Sequence, residues 1–260
     1  MSKKLALVIG YGQSNERGTG VAPRLAGTAI LNSDTANNVR HQSIFGSPNQ
    51  SLTTTAPYVE PCSIFQKLSE AIALRTGWTV SVYNYAKGGS SVTDSWCGWD
   101  AGNSRVKTLG DAGYDPNTYI EPMIAKITAL VAQGNEVWTI TAGHQQDLVV
   151  ARPVEQIIAA SASIQLRAQV AGASKVFVGK TTRYIGGATV AEWDAGGKIH
   201  LIADGVVAAI SGAFVGADLS ANTDTSLCAT DNMQYIHLNH AGVCWAAEKW
   251  LDVLKAGKHI

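Results

Sequence analysis

Leu5-Ala-Leu-Val-Ile-Gly-Tyr-Gly-Gln-Ser-Asn-Glu-Arg-Gly18 passes abruptly from five consecutive apolar residues into a Gly-x-Gly turn. An unbroken apolar run of this length reads as a strand buried on both faces, as in a parallel sheet covered by helices. The turn presents Ser14 between the side-chain amides of Gln13 and Asn15. A polar residue just beyond the carboxyl end of such a strand stands where open α/β sheets bind their ligands. Ser14 is therefore the candidate nucleophile, and the groups that activate it must come from elsewhere in the chain.

Outward from this strand, the pattern alternates. The first strand covers about 4–10, and a Gly-, Asn-, Ser- and Thr-rich stretch from about 16 to 56 reads as a long functional loop. Helical spacing starts after Pro61 with Ile64, Phe65, Leu68 and Ile72 and ends at Gly77. A strand over Thr79–Tyr85 leads into Gly88-Gly-Ser-Ser91 and a second loop, about 91–118, holding Trp96 and Trp99. Ile120, Ile124, Ile127 and Val131 mark the next helix, closed by Gly134. A strand over Glu136–Ala142 runs into Gly-His-Gln-Gln-Asp147, and a helix follows from about Pro153. A strand over Lys175–Thr181, a helix over about 196–211 and a short strand near 213–219 come next. The last helix starts after Asn239 and is expected to bury Val243, Ala247, Trp250, Leu251 and Leu254. About five strand–helix alternations predict a doubly wound parallel α/β sheet with helices on both faces, in one domain over 1–260.

Composition narrows the function. With 260 residues and 46% hydrophobic side chains, a sizeable core is available. Twenty basic residues balance twenty acidic ones, which argues against a nucleic-acid partner or an acidic membrane surface. No signal peptide or apolar run long enough to span a membrane is visible, so cytoplasmic synthesis is expected. The four cysteines are widely spaced, without a C-x-x-C pair, and read as free thiols of a reducing compartment, with two disulfides the alternative for an exported protein. The seven Trp and eight Tyr include several in loop-like stretches, where rings can stack on a sugar.

Three strand ends carry distinctive polar blocks: Gln13-Ser14-Asn15, Gly88-Gly89-Ser90-Ser91 and His144-Gln145-Gln146-Asp147. In a parallel sheet they share one edge. His237-Leu-Asn-His240-Ala-Gly242, at the start of the last helix, adds a histidine. A serine, a histidine to take its proton, and amide donors for an oxyanion are the parts of an acyl-transfer site.

These blocks resemble those of the SGNH (GDSL-type) hydrolase superfamily, and within it the branch of sialate O-acetylesterases and acetylxylan esterases. Gly12-Gln-Ser-Asn15 matches that branch's first block, and Gly88-Gly-Ser-Ser91 followed by Trp96 its second. Gln145-Gln146-Asp147 is a looser match to a Gln-Gly-acid block, and His237-Leu-Asn-x-x-Gly242 fits the second half of the last. The resemblance implies a flavodoxin-like five-stranded sheet, hydrolysis of acyl esters with Ser14 as nucleophile and His237 as general base, and an oxyanion hole from the N–H groups of Ser14 and Gly89 with the Gln145 side chain. Gln13, Asn15, Ser90, Trp96 and Gln146 would contact the substrate, an acylated carbohydrate, and no metal or organic cofactor is implied. The chain departs from the pattern at one position. Where the family places an acid three residues before the histidine, Gln234 stands here, and the nearest acid is Asp231. Either Asp231 reaches the imidazole or the site is a Ser-His dyad; a triad Asp mainly fixes the tautomer and stabilises the imidazolium.

Other readings compete. Ser14 is also a reasonable helix N-cap. Cys228, Asp231, His237 and His240 follow no metal-ligand spacing. Gly10-x-Gly12 with Asp34 suggests a dinucleotide site, but Asn15 replaces the third glycine and Gly18, Gly20 and Pro23 spoil the crossover helix. A carbohydrate-binding protein of the same fold, degenerate in catalysis, is the alternative function.

Overall fold

The structure, a computed structural model, describes residues 3–10, 39–43, 64–86, 91–96, 99–107, 111–113, 120–182, 197–228 and 238–260. Strand β1 is Lys4–Ile9, and its apolar run behaves as expected of a central strand: Leu5 through Ile9 are all fully buried. Alternation along the strand sends Leu5, Leu7 and Ile9 into one core and Ala6 and Val8 into the other.

Around β1 the chain builds β2 (Val39–Ser43), β3 (Thr79–Asn84), β6 (Glu136–Thr141), β7 (Lys175–Lys180) and β8 (Ala213–Asp218). Their order is β2-β3-β1-β6-β7-β8, with every neighbouring pair parallel. The five expected strands are present within a few residues of their expected bounds. The sixth, β2, lies inside the stretch read as loop. Val39-Arg-His-Gln-Ser43 shows no apolar alternation; it stands at the edge of the sheet and pairs through its backbone with β3. The 91–118 stretch, also read as loop, holds a π-helical turn over Val92–Trp96 and a small antiparallel pair, β4 (Trp99–Asp100) with β5 (Arg105–Val106).

Helices α1 (Ile64–Thr76) and α6 (His240–Ala256) cover one face, packing Phe65, Leu68, Val243 and Trp250 on Leu5, Leu7 and Trp138. Helices α2 (Ile120–Ala132), α4 (Val154–Val170) and α5 (Lys198–Ala209) cover the other, with Met123, Ile157 and Ile202 in its core. The sheet is doubly wound. Gly77 and Gly134 terminate α1 and α2 at φ of 69° and 77°, a left-handed turn that glycine makes without strain. In α6, Leu251 is only half-buried, whereas Trp250 and Leu254 are fully buried.

Candidate active site at the carboxyl edge of the sheet

The order in which strands are added reverses at β1. The next strand in the chain, β2, lies beyond β3 on one side, whereas β6 and the connection leaving it to β7 lie on the other. Crevices at such switch points, outside the carboxyl ends of the strands, are where α/β sheets of this kind bind ligands. In the parallel registers Ile9 stands beside Asn84 on one side and Ile140 on the other. The N–H of Gly10 donates to Ile140 O (2.9 Å) and that of Tyr85 to Ile9 O (3.1 Å), so the three strands end level. The blocks containing Ser14, Gly89 and Gln145 therefore leave from three adjacent strands at one edge.

Of the candidate residues, Gln13, Ser14, Asn15, Gly89, Ser90, Asp231 and His237 lie outside the described residues. Trp96 ends the π-helical turn. Gln145 and Gln146 open α3 (Gln145–Val149), the short helix that follows β6; Gln145 is buried and Gln146 half-buried. The Gln145 amide nitrogen donates to Thr182 Oγ1 (2.7 Å) and to the Thr182 carbonyl (3.2 Å), just past the end of β7.

Two neighbours of Gln145 that pattern reading left without a role are deeply engaged. His144, buried, has Nε2 3.1 Å from Ser161 Oγ on the inner face of α4. Burial pushes its pKa down to about 3. It stays neutral at ordinary pH and is too weak a base to serve as the proton acceptor. Asp147 is fully buried. Its Oδ2 accepts from the Val92 N–H (2.8 Å) and its Oδ1 from the Thr93 N–H (3.1 Å) and hydroxyl (2.8 Å). Burial raises its pKa, and those donors oppose the rise. An acid in a Gln-Gln-Asp-Leu-Val run at a strand end was the available signal.

The last block has a local physical basis. Asn239 caps α6: its Oδ1 accepts from the Gly242 N–H (3.0 Å), while its Nδ2 donates to Ser226 O (2.6 Å) and Cys228 O (3.1 Å). A Cβ on Gly242 would lie 2.0 Å from the Leu227 carbonyl oxygen. Asn at the cap and Gly three residues on are thus dictated by how the strand-like pair Cys228–Leu238 enters the helix.

A second Ser, His and Asp group meets at the end of the outermost strand. Ser220 Oγ donates to Asp218 Oδ1 at 2.6 Å, and His200 Nε2 lies 3.0 Å from Ser220 Oγ and 3.4 Å from Asp218 Oδ2. The hydroxyl proton goes to the carboxylate, so the imidazole does not activate this serine. The group sits three strands from β1 and ties α5 to β8. Among the described residues no group of three or more His, Cys, Asp or Glu side chains is arranged to hold a metal ion, and no helix is long and apolar enough to cross a membrane.

No family model matches the chain and no curated protein matches it in sequence. Its likenesses are structural. NanS superposes over 100% of both chains at a TM-score of 0.58 and 12% identity. A carbohydrate acetylesterase from Xanthomonas citri matches over 96% of this chain and 55% of its own, at a TM-score of 0.54 and 11% identity. A lipolytic protein of the G-D-S-L family from Veillonella parvula matches over 96% and 98%, at 0.52 and 12%. The chain has the SGNH-hydrolase fold. At these identities the likeness extends to the architecture alone.

Proposed function

We propose that this SGNH-fold protein is a serine ester hydrolase that removes small acyl groups, chiefly O-acetyl, from a carbohydrate. What supports it most is the arrangement of β3, β1 and β6, from whose level ends the Gly-Gly, Ser14 and Gln145 blocks all leave beside the switch point. Esterases among the structures of the same fold add to it.

Ser14 Oγ attacks the ester carbonyl while His237 takes its proton. The N–H groups of Ser14 and Gly89 and the Gln145 amide hold the oxyanion. Collapse expels the sugar hydroxyl, protonated by His237, and water then releases the acid from the acyl-serine by the same steps. Asp231 orients the imidazole, or the site works as a dyad. Gln13, Asn15, Ser90, Trp96 and Gln146 contact the sugar, and the chemistry calls for no metal.

The test is hydrolysis of para-nitrophenyl acetate by the wild type and by Ser14→Ala from pH 5 to 9. Activity that rises with a histidine-like pKa and vanishes in the variant is expected, followed by acetate release from acetylated polysaccharides. Gln234, where related sites carry an acid, favours a second reading in which the chain binds acylated carbohydrate without cleaving it. An inactive wild type that still binds such a polysaccharide selects that reading.

A further inference from the structure

Helix α3 is five residues long, yet it and the residue before it reach three other elements. His144 meets Ser161 of α4, Gln145 meets Thr182 beyond β7, and Asp147 meets Val92 and Thr93 beyond β3. The contact of Asp147 differs in kind from the other two. A carboxylate without exposure is held there by two backbone N–H groups and one hydroxyl, all from a single turn. A buried charge is costly, and a neutral side chain would brace a turn more cheaply if bracing were its whole task. What a carboxylate adds is short, charge-assisted bonds to two successive N–H groups, which fix the turn's orientation as well as its position.

The same turn is gripped from outside. Ala151, at φ 54°, reverses the chain after α3, so the Arg152 N–H donates to Asp147 O (2.9 Å) and its guanidinium pairs with Asp94 at 2.7 and 2.8 Å. Ser91, buried, bonds Asp94 at 3.1 Å and closes the turn's first residue. Gly89 stands two residues before Ser91 in the chain, and three before the N–H that Asp147 holds.

We propose that Asp147 is a positioning residue for the reaction. Its carboxylate fixes the Val92–Trp96 turn against α3 and anchors the chain three residues after Gly89, whose N–H the esterase reading assigns to the oxyanion. The proposal rests on the esterase reading for its catalytic consequence but not for the clamp itself. Asp147 touches no reacting atom. It aligns oxyanion donors contributed by two different strand ends.

Asp147→Asn tests it, because the isosteric amide turns one acceptor into a donor facing the Val92 N–H. In the full-length protein, kcat for para-nitrophenyl acetate is expected to fall about 100-fold, the scale of losing one oxyanion donor, with KM within threefold. Amide hydrogen exchange should accelerate across 91–96 and remain at wild-type rates in β6 and α4. Thr93→Val, which removes only the hydroxyl donor, should give a smaller fall in kcat with the same unchanged KM, and it carries the test if Asp147→Asn does not fold. Wild-type kcat in a folded Asp147→Asn, or a loss confined to KM, overturns the proposal. If the wild type hydrolyses nothing, the esterase reading fails on its own, and exchange alone then judges the clamp: unchanged rates over 91–96 sink it.

Discussion

The Gln145 amide nitrogen lies 2.7 Å from Thr182 Oγ1 and 3.2 Å from the Thr182 carbonyl oxygen, joining the chain that leaves β6 to the chain that leaves β7. Both amide hydrogens are thus directed at one residue, and donation to an oxyanion requires exchanging one of them, most readily the hydroxyl contact, since Oγ1 can rotate away. Gln145→Ala is expected to lower turnover about 100–1000-fold and to cost about 1–3 kcal/mol of stability, because the buried Thr182 groups lose their donor. Thr182→Val keeps the carboxamide and should cost about 1 kcal/mol with turnover nearly intact. Equal turnover in the two variants would make Gln145 a strap between strand ends and remove it from the oxyanion hole.

His144 makes stability depend on pH. Its folded pKa, about 3, lies below the ordinary 6.5, so between these values the unfolded chain binds the proton and the folded one does not. Stability is complete above the ordinary value and falls as pH drops through the window, by at most about 1.4 kcal/mol per pH unit. His144→Gln places an amide near the Nε2 position beside Ser161 and cannot titrate. Urea denaturation of both proteins at pH 7 and pH 5 should show the wild type losing about 2 kcal/mol more than the variant over that interval. Asp147 titrates in both and cancels from the comparison. Parallel pH dependences would mean that His144 is protonated in the folded protein.

Asn239 and Gly242 hold the entry to α6, two and five residues after His237. Asn239→Ala removes the cap bond to Gly242 and the bonds to two carbonyls, and a loss of about 2 kcal/mol is expected. Gly242→Ala forces a methyl toward the Leu227 carbonyl, which is backbone and cannot swing aside. It should cost at least as much. Under the esterase reading both also lower kcat, since His237 precedes this cap by two residues in the chain. Full stability in Gly242→Ala would show that the turn relaxes without strain.

The strand and helix boundaries were legible because they rest on local signals. Gly77 and Gly134 end helices by left-handed geometry, Pro153 precedes α4, and Leu5–Ile9 is apolar throughout. Strand β2 was hidden because Val39–Ser43 is recruited by β3 through its backbone and bears no apolar pattern. The three polar blocks could be placed on one edge from topology alone. What holds them in register could not. Asp147 meets Val92 across 55 residues and Gln145 meets Thr182 across 37, and such side-chain ties to distant turns leave no periodicity to read. The Asn and Gly of the last block were recognisable as a motif before their cause, a cap and a close approach, was visible.

Trp250 seats α6 on the sheet through two glycines in adjacent strands. The indole is fully buried; a Cβ on Gly216 of β8 would lie 2.3 Å from its Cη2, and one on Gly179 of β7 2.5 Å from its Cζ2. Ring and backbone therefore meet where any side chain would stand, and Gly216→Ala must push α6 outward or tilt the ring. Overpacking of this kind is expected to cost about 1–3 kcal/mol. Trp250→Phe alone leaves a void and is destabilising too. In the double variant the smaller ring leaves room for the new methyl, so the two losses should compensate, and the double variant should be more stable than their sum by about 1 kcal/mol or more. Urea denaturation of the four proteins measures this coupling. Strict additivity would mean that the sheet accommodates the methyl without moving Trp250, and that the glycines do not set the height of α6 above the strands.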